Sequence, residues 1–486
     1  MMLSDYDDVS DSENERAVQG DSDSEVSSLE KFMSLLQKVH WDIENERHEF
    51  LRQLEPLYRN WKGQYPDLRE IFSPEGIEAL LVEDMEIENL QIWRKYSFAH
   101  FVARTGYKDK PKVDQDGKPI LRRTTPVHYL GCSEYNNWFT VRDLFKIYNS
   151  FDLNYTDDYG VTHFHLACLS KSDDVVEKFL ELGQNPNCPL PETGNTPLHL
   201  ALDANRQRTV ELLLRNGADP NLPDSEGSTP LHSICKECDD KDLVGFFFKI
   251  IDDIQQTVKI DAVDKLGRTP LQLAVANLLP NVVDVLLDNN ADLSSFVFPT
   301  SSYFGDRFDP NDYRGHFKMR LASDALIIVE RLEKRGYELD LSGAITIKQF
   351  FDKYRLFEKP SDLDTSWYDD EEFVIESKTI MLKPSLSLYD LIRLRPKEAS
   401  KLVTYSDYYK FAHSYKLYEL SDRHIEACTE HLCEKLSREF FRQWALDPFL
   451  ELMRYRLPIL CCELIIEKLM NEDLWHIYLA TADQRS

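Results

Sequence analysis

The stretch Gly194-Asn-Thr-Pro-Leu-His-Leu-Ala201 decides the fold, because its pattern recurs along the chain. Three further copies read Thr162-His-Phe-His-Leu-Ala, Thr229-Pro-Leu-His-Ser-Ile and Thr269-Pro-Leu-Gln-Leu-Ala, and a weaker copy, Thr125-Pro-Val-His-Tyr-Leu, precedes them. Successive threonines are 37, 34, 33 and 40 residues apart, and in the last four copies a glycine lies two residues before the threonine. A period of this size indicates a protein built from stacked structural repeats.

Each position of the motif has a physical role. The glycine allows the positive φ of a tight hairpin, the threonine suits a helix N-cap, and the proline suits the first helical position, where no amide donor is needed. A second helix follows, for example over Thr209–Arg215, and Gly217 then suits a left-handed C-cap. Such helix pairs bury their apolar faces only against neighbouring pairs, so the pattern predicts an all-α solenoid of helix pairs with β-hairpin loops.

This pattern resembles the ankyrin repeat. On that resemblance about five repeats cover residues 124–293, with atypical first and last units and an insertion in the fourth, near Lys236–Ile260. Histidine occupies the same slot in four copies, as His128, His165, His199 and His232. A metal or catalytic role is one reading of these histidines. Recurrence at the same slot favours the other, a hydrogen-bonding residue at the head of each helix pair.

Composition limits the classes of partner and the cellular compartments that we expect for this protein. The 486 residues include 57 basic and 85 acidic side chains, a formal net charge of −28 that argues against nucleic acid or an anionic membrane as the main partner. The N-terminus lacks the basic and apolar regions of a signal peptide, and no apolar run reaches the length of a membrane-spanning helix. The nine scattered cysteines predict reduced thiols. We therefore expect a soluble protein of the cytoplasm or nucleus with a protein partner.

The chain divides into five predicted segments. They are a disordered acidic tail (1–28), an N-terminal helical region (29–123), the repeats (124–293), a connector whose structure the sequence does not indicate (294–384) and a C-terminal helical domain (385–486). In the tail, an acidic residue lies three positions after each of Ser4, Ser10, Ser12 and Ser22. This leaves open either phosphorylation by an acidophilic kinase or a tail that only solubilises.

Helical periodicity marks both flanking regions. Apolar residues from Leu29 to Leu57 predict one amphipathic helix of about 28 residues, whose apolar stripe is interrupted by Glu46. A second helix is predicted to begin at Ser73-Pro74, with its apolar face formed by Leu80, Leu81, Ile87, Leu90, Trp93 and Phe101. Further helices are predicted around Ala322–Arg335, from Ser421 to Trp444 and from Asp447 to Met453.

A second specific motif reads Leu457-Pro-Ile-Leu-Cys-Cys-Glu-Leu-Ile-Ile-Glu-Lys-Leu-Met-Asn-Glu-Asp-Leu474. It resembles the start of an F-box, whose pattern is Leu-Pro, an Ile-Leu-type pair, a Leu and then Asp-Leu. The resemblance assigns adaptor binding to the matching residues, Leu457, Pro458, Ile465, Ile466, Leu469, Asp473 and Leu474. Two features depart from the family pattern: Leu460 replaces the usual acidic residue, and the chain ends at Ser486, so that we expect a shortened later helix.

Ankyrin repeats followed by a short F-box-like segment resemble the PRANC arrangement of poxvirus and parasitoid-wasp proteins. That resemblance implies a substrate-recognition adaptor of an SCF-type cullin-RING ubiquitin ligase. Its C-terminal segment would bind the Skp adaptor and its repeats would bind the target. One alternative stays open: the chain is an ankyrin scaffold or decoy that sequesters a signalling protein without ubiquitination. In that case the C-terminal residues only close the core of a helical domain.

Target contacts in ankyrin proteins usually involve the hairpin tips and the inner helix face. Alignment of the repeats gives as target-binding candidates Asp158, Tyr159, Glu192, Thr193, Ser225, Glu226 and Lys265. Most are acidic or polar, which favours a basic patch on the target.

No motif predicts catalysis or a cofactor, because the sequence contains no phosphate-binding glycine loop, nucleophile elbow or zincin motif. We therefore expect a protein that is not an enzyme. His424, Cys428 and His431 share a helical face on which zinc is conceivable, but Cys433 points elsewhere and a structural role is favoured. A structural role is also favoured for the isolated pair Cys235 and Cys238.

Overall fold

The computed structural model describes residues 27–88, 97–131, 138–236, 242–310, 315–357 and 367–485. Within these ranges the chain is mainly helical, as the repeats predict, and its one sheet is a two-stranded antiparallel hairpin of β1 (Met381–Lys383) and β2 (Leu386–Ser387). The chain forms two compact units. The first extends to Ile120 and includes Thr125–Ser150, and the second contains Leu121–Thr124 and everything from Phe151 onward. The predicted tail lies, as far as residue 26, outside the described residues.

The first unit is a small helical body with an aromatic core. Phe32, Phe50 and Phe101 are buried, and the ring of Phe32 lies within 6.3 Å of both other rings, measured between centroids. A short 3-10 helix spans Leu68–Glu70. The α-helices are α1 (Ser28–Leu36), α2 (Glu44–Arg59), α3 (Pro74–Glu88), α4 (Phe98–Arg104), α5 (Pro126–Gly131) and α6 (Trp138–Ile147).

The single helix predicted from Leu29 to Leu57 is wrong, because the structure has two helices, α1 and α2, separated by residues 37–43. Glu46 supplies the reason. Its carboxylate accepts hydrogen bonds from the backbone N–H of His40 (2.7 Å) and lies 2.8 Å from Nδ1 of the same residue, so the chain folds back on itself before α2. Trp41 in the break packs edge-on against Phe50. The polar residue in the stripe was the sign of a helix boundary.

The predicted start of the next helix is confirmed. Helix α3 begins at Pro74, and the Ser73 hydroxyl accepts a hydrogen bond from the backbone N–H of Gly76 (3.1 Å), as an N-cap residue does. The predicted apolar face was drawn too long. Leu90 and Trp93 lie outside the described residues, and Phe101 belongs to the separate helix α4.

The second unit begins with the repeat array, which we define as residues 151–293. It contains four helix pairs. The first helix of each pair begins directly after the motif threonine, and these first helices have the same length, as the repeated motif requires. The pair that follows Thr229, α11 and α12, has the longer second helix, because the predicted insertion lies around α12. Residues 237–241 of this insertion lie outside the described residues. The pairs are α7 (His163–Leu169) and α8 (Asp173–Glu181), α9 (Pro197–Asp203) and α10 (Gln207–Arg215), α11 (Pro230–Lys236) and α12 (Leu243–Asp253), and α13 (Pro270–Ala276) and α14 (Pro280–Asp288).

The C-terminal module, residues 294–485 within the described ranges, completes the second unit. Its long helices confirm the predicted helices near Ala322–Arg335 and from Ser421 to Trp444. Short 3-10 helices span Trp367–Asp369 and Lys416–Glu419. The α-helices are α15 (Gly315–Lys334), α16 (Leu341–Lys353), α17 (Glu371–Thr379), α18 (Leu388–Arg393), α19 (Pro396–Leu402), α20 (Tyr405–Ala412), α21 (Asp422–Gln443), α22 (Leu446–Leu452), α23 (Ile459–Ile466) and α24 (Asn471–Arg485).

Helix α15 joins the repeat array to the C-terminal module. It packs on α14, the last helix of the array, and on α20 and α21 of the module. An ion pair between Arg331 and Asp284 (3.0 Å) and a second between Arg335 and Asp288 connect α15 to α14. The array and the module therefore share one packed core and are not separated by a linker.

Candidate functional site

The repeated threonine and histidine form a capping box at the head of a helix pair. In the third copy, the backbone N–H of Thr196 donates to Nδ1 of His199 (3.2 Å), and the Thr196 hydroxyl lies 2.9 Å from the same nitrogen. A backbone N–H can only donate, so Nδ1 is the acceptor and the ring proton is on Nε2. The imidazole in this box is neutral.

The same histidine connects its repeat to the next one. Nε2 of His199 donates to the carbonyl of Ser228 (3.0 Å), and Nε2 of His232 donates to the carbonyl of Arg268 (3.1 Å). Burial lowers the pKa of both rings, which keeps them neutral. In the last repeat the amide of Gln272 makes both bonds, to Thr269 and to the carbonyl of Val297. The predicted structural role of these histidines is confirmed.

Comparison with known protein families agrees with this geometry. Residues 128–224 and 204–296 match the family model for ankyrin repeats, with three copies. The chain contains an ankyrin-repeat array. No curated protein matches the chain. Ankyrin repeats form a protein–protein interaction domain, and the array is therefore the part of this chain that identifies its class of partner.

The seven predicted target-binding residues lie on the hairpin tips of the ankyrin array, and all seven are exposed. Three of the four tips are built by an aspartate, Asp157, Asp224 or Asp264. The Asp224 carboxylate, for example, accepts hydrogen bonds from the backbone N–H groups of Glu226 and Ser228, both at 2.8 Å. The last three tips are joined through the backbone, since the N–H of Ser225 donates to the carbonyl of Thr193 and the N–H of Lys265 donates to the carbonyl of Glu226, each at 2.8 Å. The tips form a continuous row whose side chains face outward: Asp158, Tyr159, Glu192, Thr193, Ser225, Glu226 and Lys265.

The last tip of the row also exposes two apolar side chains that the sequence analysis missed. Leu266 is 73% exposed and Val263 is 59% exposed. The sequence did carry a sign of this: the residue before the tip glycine is tyrosine, threonine or glutamate in the other tips and leucine in the last one.

The C-terminal motif spans two helices, and the structure separates its seven predicted residues into two groups. Pro458 is the N-cap residue of α23, and the carboxylate of Asp473 accepts from the backbone N–H of Met470 (2.9 Å) at the start of α24. Pro458, Ile465 and Asp473 are exposed, and Leu457 and Leu469 are partly exposed. Ile466 and Leu474 are buried. These last two side chains close the core behind α23 and do not present surface to a partner.

Helix α23 exposes apolar side chains that were not among the predicted residues. Leu460 is 73% exposed, Leu464 is 63% exposed and Ile459 is 56% exposed, and Leu460 and Leu464 lie one helical turn apart. Only Cys462 and Ile466 of the helix are buried. We refer to Ile459, Leu460, Leu464 and Ile465 as the α23 patch. Leu460, which departs from the F-box pattern, is the most exposed of the four.

A buried polar cluster holds α23 against the module. The Arg438 guanidinium donates to the carbonyl of Ile466 at the end of α23 (2.8 Å) and to Oδ1 of Asn471 at the start of α24 (3.0 Å). Asn471 in turn donates from its backbone N–H to the Glu434 carboxylate (2.9 Å) and from its amide to the Ser437 hydroxyl (3.0 Å). All four side chains are buried, so α21 fixes the corner between α23 and α24 from within.

The other candidate chemistries have structural explanations. His431 donates from Nε2 to the carbonyl of Ile392 (3.1 Å), and burial raises the pKa of the Cys428 and Cys433 thiols. In the part of the chain that the structure describes, no group of three or more histidine, cysteine or acidic residues is placed to hold a metal ion. Cys238 lies outside the described residues. No described helix is long and apolar enough to span a membrane.

Proposed function

We propose that this chain is a non-catalytic substrate-recognition adaptor of an SCF-type cullin-RING ubiquitin ligase. Its ankyrin array would bind the target, and helix α23 would bind the Skp adaptor. In this role the chain needs no catalytic residue, because it acts by raising the effective concentration of target lysines near the ubiquitin-carrying enzyme. We place its action in the cytoplasm or nucleus, where such ligases work.

The observation that carries the proposal is the α23 patch. An eight-residue helix that directs only two side chains inward and leaves Leu460 and Leu464 in solvent is unusual for a segment whose role is to close a core. Neighbouring exposed apolar side chains on one helix suit a protein-binding surface. It lies in the segment whose sequence resembles an F-box, on a helix that the Arg438 cluster holds in a fixed orientation. The patch and the resemblance therefore support the same assignment.

Binding of the full chain to purified Skp adaptor tests the proposal. We expect the double variant Leu460→Glu/Leu464→Glu to bind at least about tenfold more weakly, since each leucine buried at an interface contributes roughly 1.5–3 kcal/mol. Ile375→Glu is the matched control, because Ile375 is an exposed isoleucine on α17. Equal binding by wild type, the double variant and the control would remove α23 from the adaptor interface.

A scaffold or decoy is the second candidate. The observation in its favour is that the family match ends at residue 296, so the array is assigned to protein binding independently of the C-terminal module. The two functions differ in their effect on the target: a ligase adaptor lowers the target's abundance in cells, whereas a scaffold leaves it unchanged. Absence of Skp binding by the full chain, together with steady target levels, would select the scaffold.

A further inference from the structure

Among the described residues, no neighbouring tip packs on the last hairpin tip of the ankyrin array, and we call this the uncovered end of the row. A Cβ added to Gly194 would lie 2.5 Å from the backbone N of Ser225, and one added to Gly227 would lie 3.0 Å from the backbone N of Lys265. In both places the next tip packs directly on the glycine. A Cβ added to Gly267 would meet no described atom within 4 Å. The last tip therefore has the shape of the others without the neighbour.

The backbone hydrogen bonds show the same difference. Within the row, Ser225 N–H donates to the carbonyl of Thr193 and Lys265 N–H donates to the carbonyl of Glu226, each at 2.8 Å. The equivalent acceptor in the last tip is the carbonyl of Leu266. Among the described residues no N–H donates to it. The end of the row thus presents an unused acceptor beside an open glycine.

The segment that follows the last helix pair, residues 292–297, is too short to form another tip. In the fourth-to-fifth connection, Lys259 N–H donates to Asn221, and Arg268, nine residues further on, accepts from His232. After the last repeat, where a sixth would begin, the backbone N–H of Asp292 donates to Asp261. The carbonyl of Val297, five residues further on, accepts from Gln272. The same two anchoring points are kept, and the four residues of a tip between them are missing.

The side chains around the uncovered end suit a protein contact. Leu266 and Val263 on the last tip are exposed, and Val297 on the connecting chain is 65% exposed. Lys265 adds an exposed positive charge to a row whose other charged tip residues are acidic. This end therefore combines a backbone acceptor, apolar side chains and a cation.

We propose that the uncovered end of the tip row binds a β-turn of the target protein. The turn would occupy the place that a hairpin tip occupies on Gly194 and Gly227, with a backbone N–H donating to the carbonyl of Leu266. An apolar side chain of the turn covers Leu266 and Val263, and an acidic side chain pairs with Lys265. This inference rests on the proposed function only in assigning target binding to the array, and it does not depend on ubiquitination.

A phage-displayed library of disulfide-constrained turn peptides, panned on the full chain, tests the inference. We expect enriched peptides that bind the double variant Val263→Asp/Leu266→Asp at least about tenfold more weakly than wild type, since loss of a central apolar contact at an interface has an effect of this size. Both side chains are on the surface, so the variant should melt at the wild-type temperature. Leu182→Asp is the control, because Leu182 is 56% exposed at the end of α8, away from the tips.

The outcomes separate this inference from the proposed function. Peptides that bind wild type and the Leu182 variant alike, and lose the Val263/Leu266 variant, support it. Peptides that bind all three proteins equally, or a library from which no turn peptide is enriched, overturn it. Skp binding measured on the same variants should be unchanged, so failure of the turn site would leave the adaptor assignment standing, and failure of Skp binding would leave the turn site standing.

Discussion

Neutral histidines in the capping boxes, such as His199, make the ankyrin array sensitive to acid. Folding lowers the pKa of His199 because the ring is buried, whereas in the unfolded chain the ring titrates near pH 6.5. Above that pH both states are neutral and the contribution of the capping box is complete. As the pH falls below 6.5, the unfolded state takes up a proton that the folded state does not, so stability declines by at most about 1.4 kcal/mol per pH unit for each such ring.

The variant His199→Gln tests this at a single site, because Gln272 already fills the same slot in the last repeat. We expect the variant to fold at pH 7.5 and to lose about 1 kcal/mol less than wild type on going to pH 5.5, measured by urea unfolding at both pH values. His476→Gln, at an exposed position of α24, should leave the wild-type pH dependence unchanged. If all three proteins lost the same stability in acid, the buried His199 ring would not be the source of the acid sensitivity.

Two glycines with similar backbone angles separate strain from close packing. Gly194 has φ of 72° and Gly267 has φ of 74°, so alanine is strained at both by roughly 1 kcal/mol. Only at Gly194 would the added Cβ meet the next tip, 2.5 Å from the backbone N of Ser225. We expect Gly194→Ala to lower the free energy of unfolding by at least about 1 kcal/mol more than Gly267→Ala, since overpacking adds to the strain. Equal losses would mean that the tips are not packed as described.

At the scale of elements, the orientation of α23 depends on one buried guanidinium. Replacing Arg438 with methionine removes the bonds to Ile466 and Asn471 and leaves the Glu434 carboxylate without that positive charge nearby. We expect a loss of about 3–5 kcal/mol, typical of breaking a buried polar pair by removing one partner. Hydrogen exchange should show reduced protection over residues 459–485, and under the proposed function Skp binding should weaken as a consequence.

Arg442→Met is the matched control for this variant. Arg442 lies one turn further along α21, is partly exposed and pairs with Glu439 at 3.4 Å. A surface pair of this kind contributes less than about 1 kcal/mol, so the control should keep both its exchange protection and its binding. Similar behaviour of the two variants would show that the Arg438 cluster does not fix α23.

Local signals in the sequence predicted some elements well and others poorly. The ankyrin helix pairs followed from Thr196-Pro-Leu-His because each residue acts within one turn or on an adjacent repeat. Apolar periodicity alone did not show the break between α1 and α2, because apolar residues continue through it; the only sign was Glu46, which interrupts the stripe. The F-box-like motif also did not predict which side chains of α23 are exposed. Ile466 matches the F-box pattern and is buried, whereas Leu460 departs from it and is exposed, because Arg438, far away in sequence, sets the helix's orientation.

At the scale of the whole molecule, the ankyrin array and the C-terminal module belong to one compact unit. Helix α15 packs on both, and Asn281 of α14 donates from its side-chain amide to the hydroxyl of Tyr409 in α20 (3.2 Å). A target bound on the array and an adaptor bound on α23 would therefore be held by one body. Under the proposed function, fixed geometry of this kind would restrict which lysines of the target the ligase can reach.

Cavity variants at two distances from α15 test whether the unit unfolds as one. Leu286 in α14 and Leu202 in α9 are both fully buried, and replacing either with alanine should cost about 2–5 kcal/mol. Of these two helices, α14 packs on α15, whereas α9 is connected to it through the intervening repeats, the histidine hydrogen bonds between them and the tip row. If the coupling is complete, both variants lower one shared melting transition, and both reduce hydrogen-exchange protection of α21 by similar factors. A separate low-temperature transition for Leu202→Ala, with α21 still protected, would instead mean that the array melts repeat by repeat and that its distal repeats are free to move relative to α23.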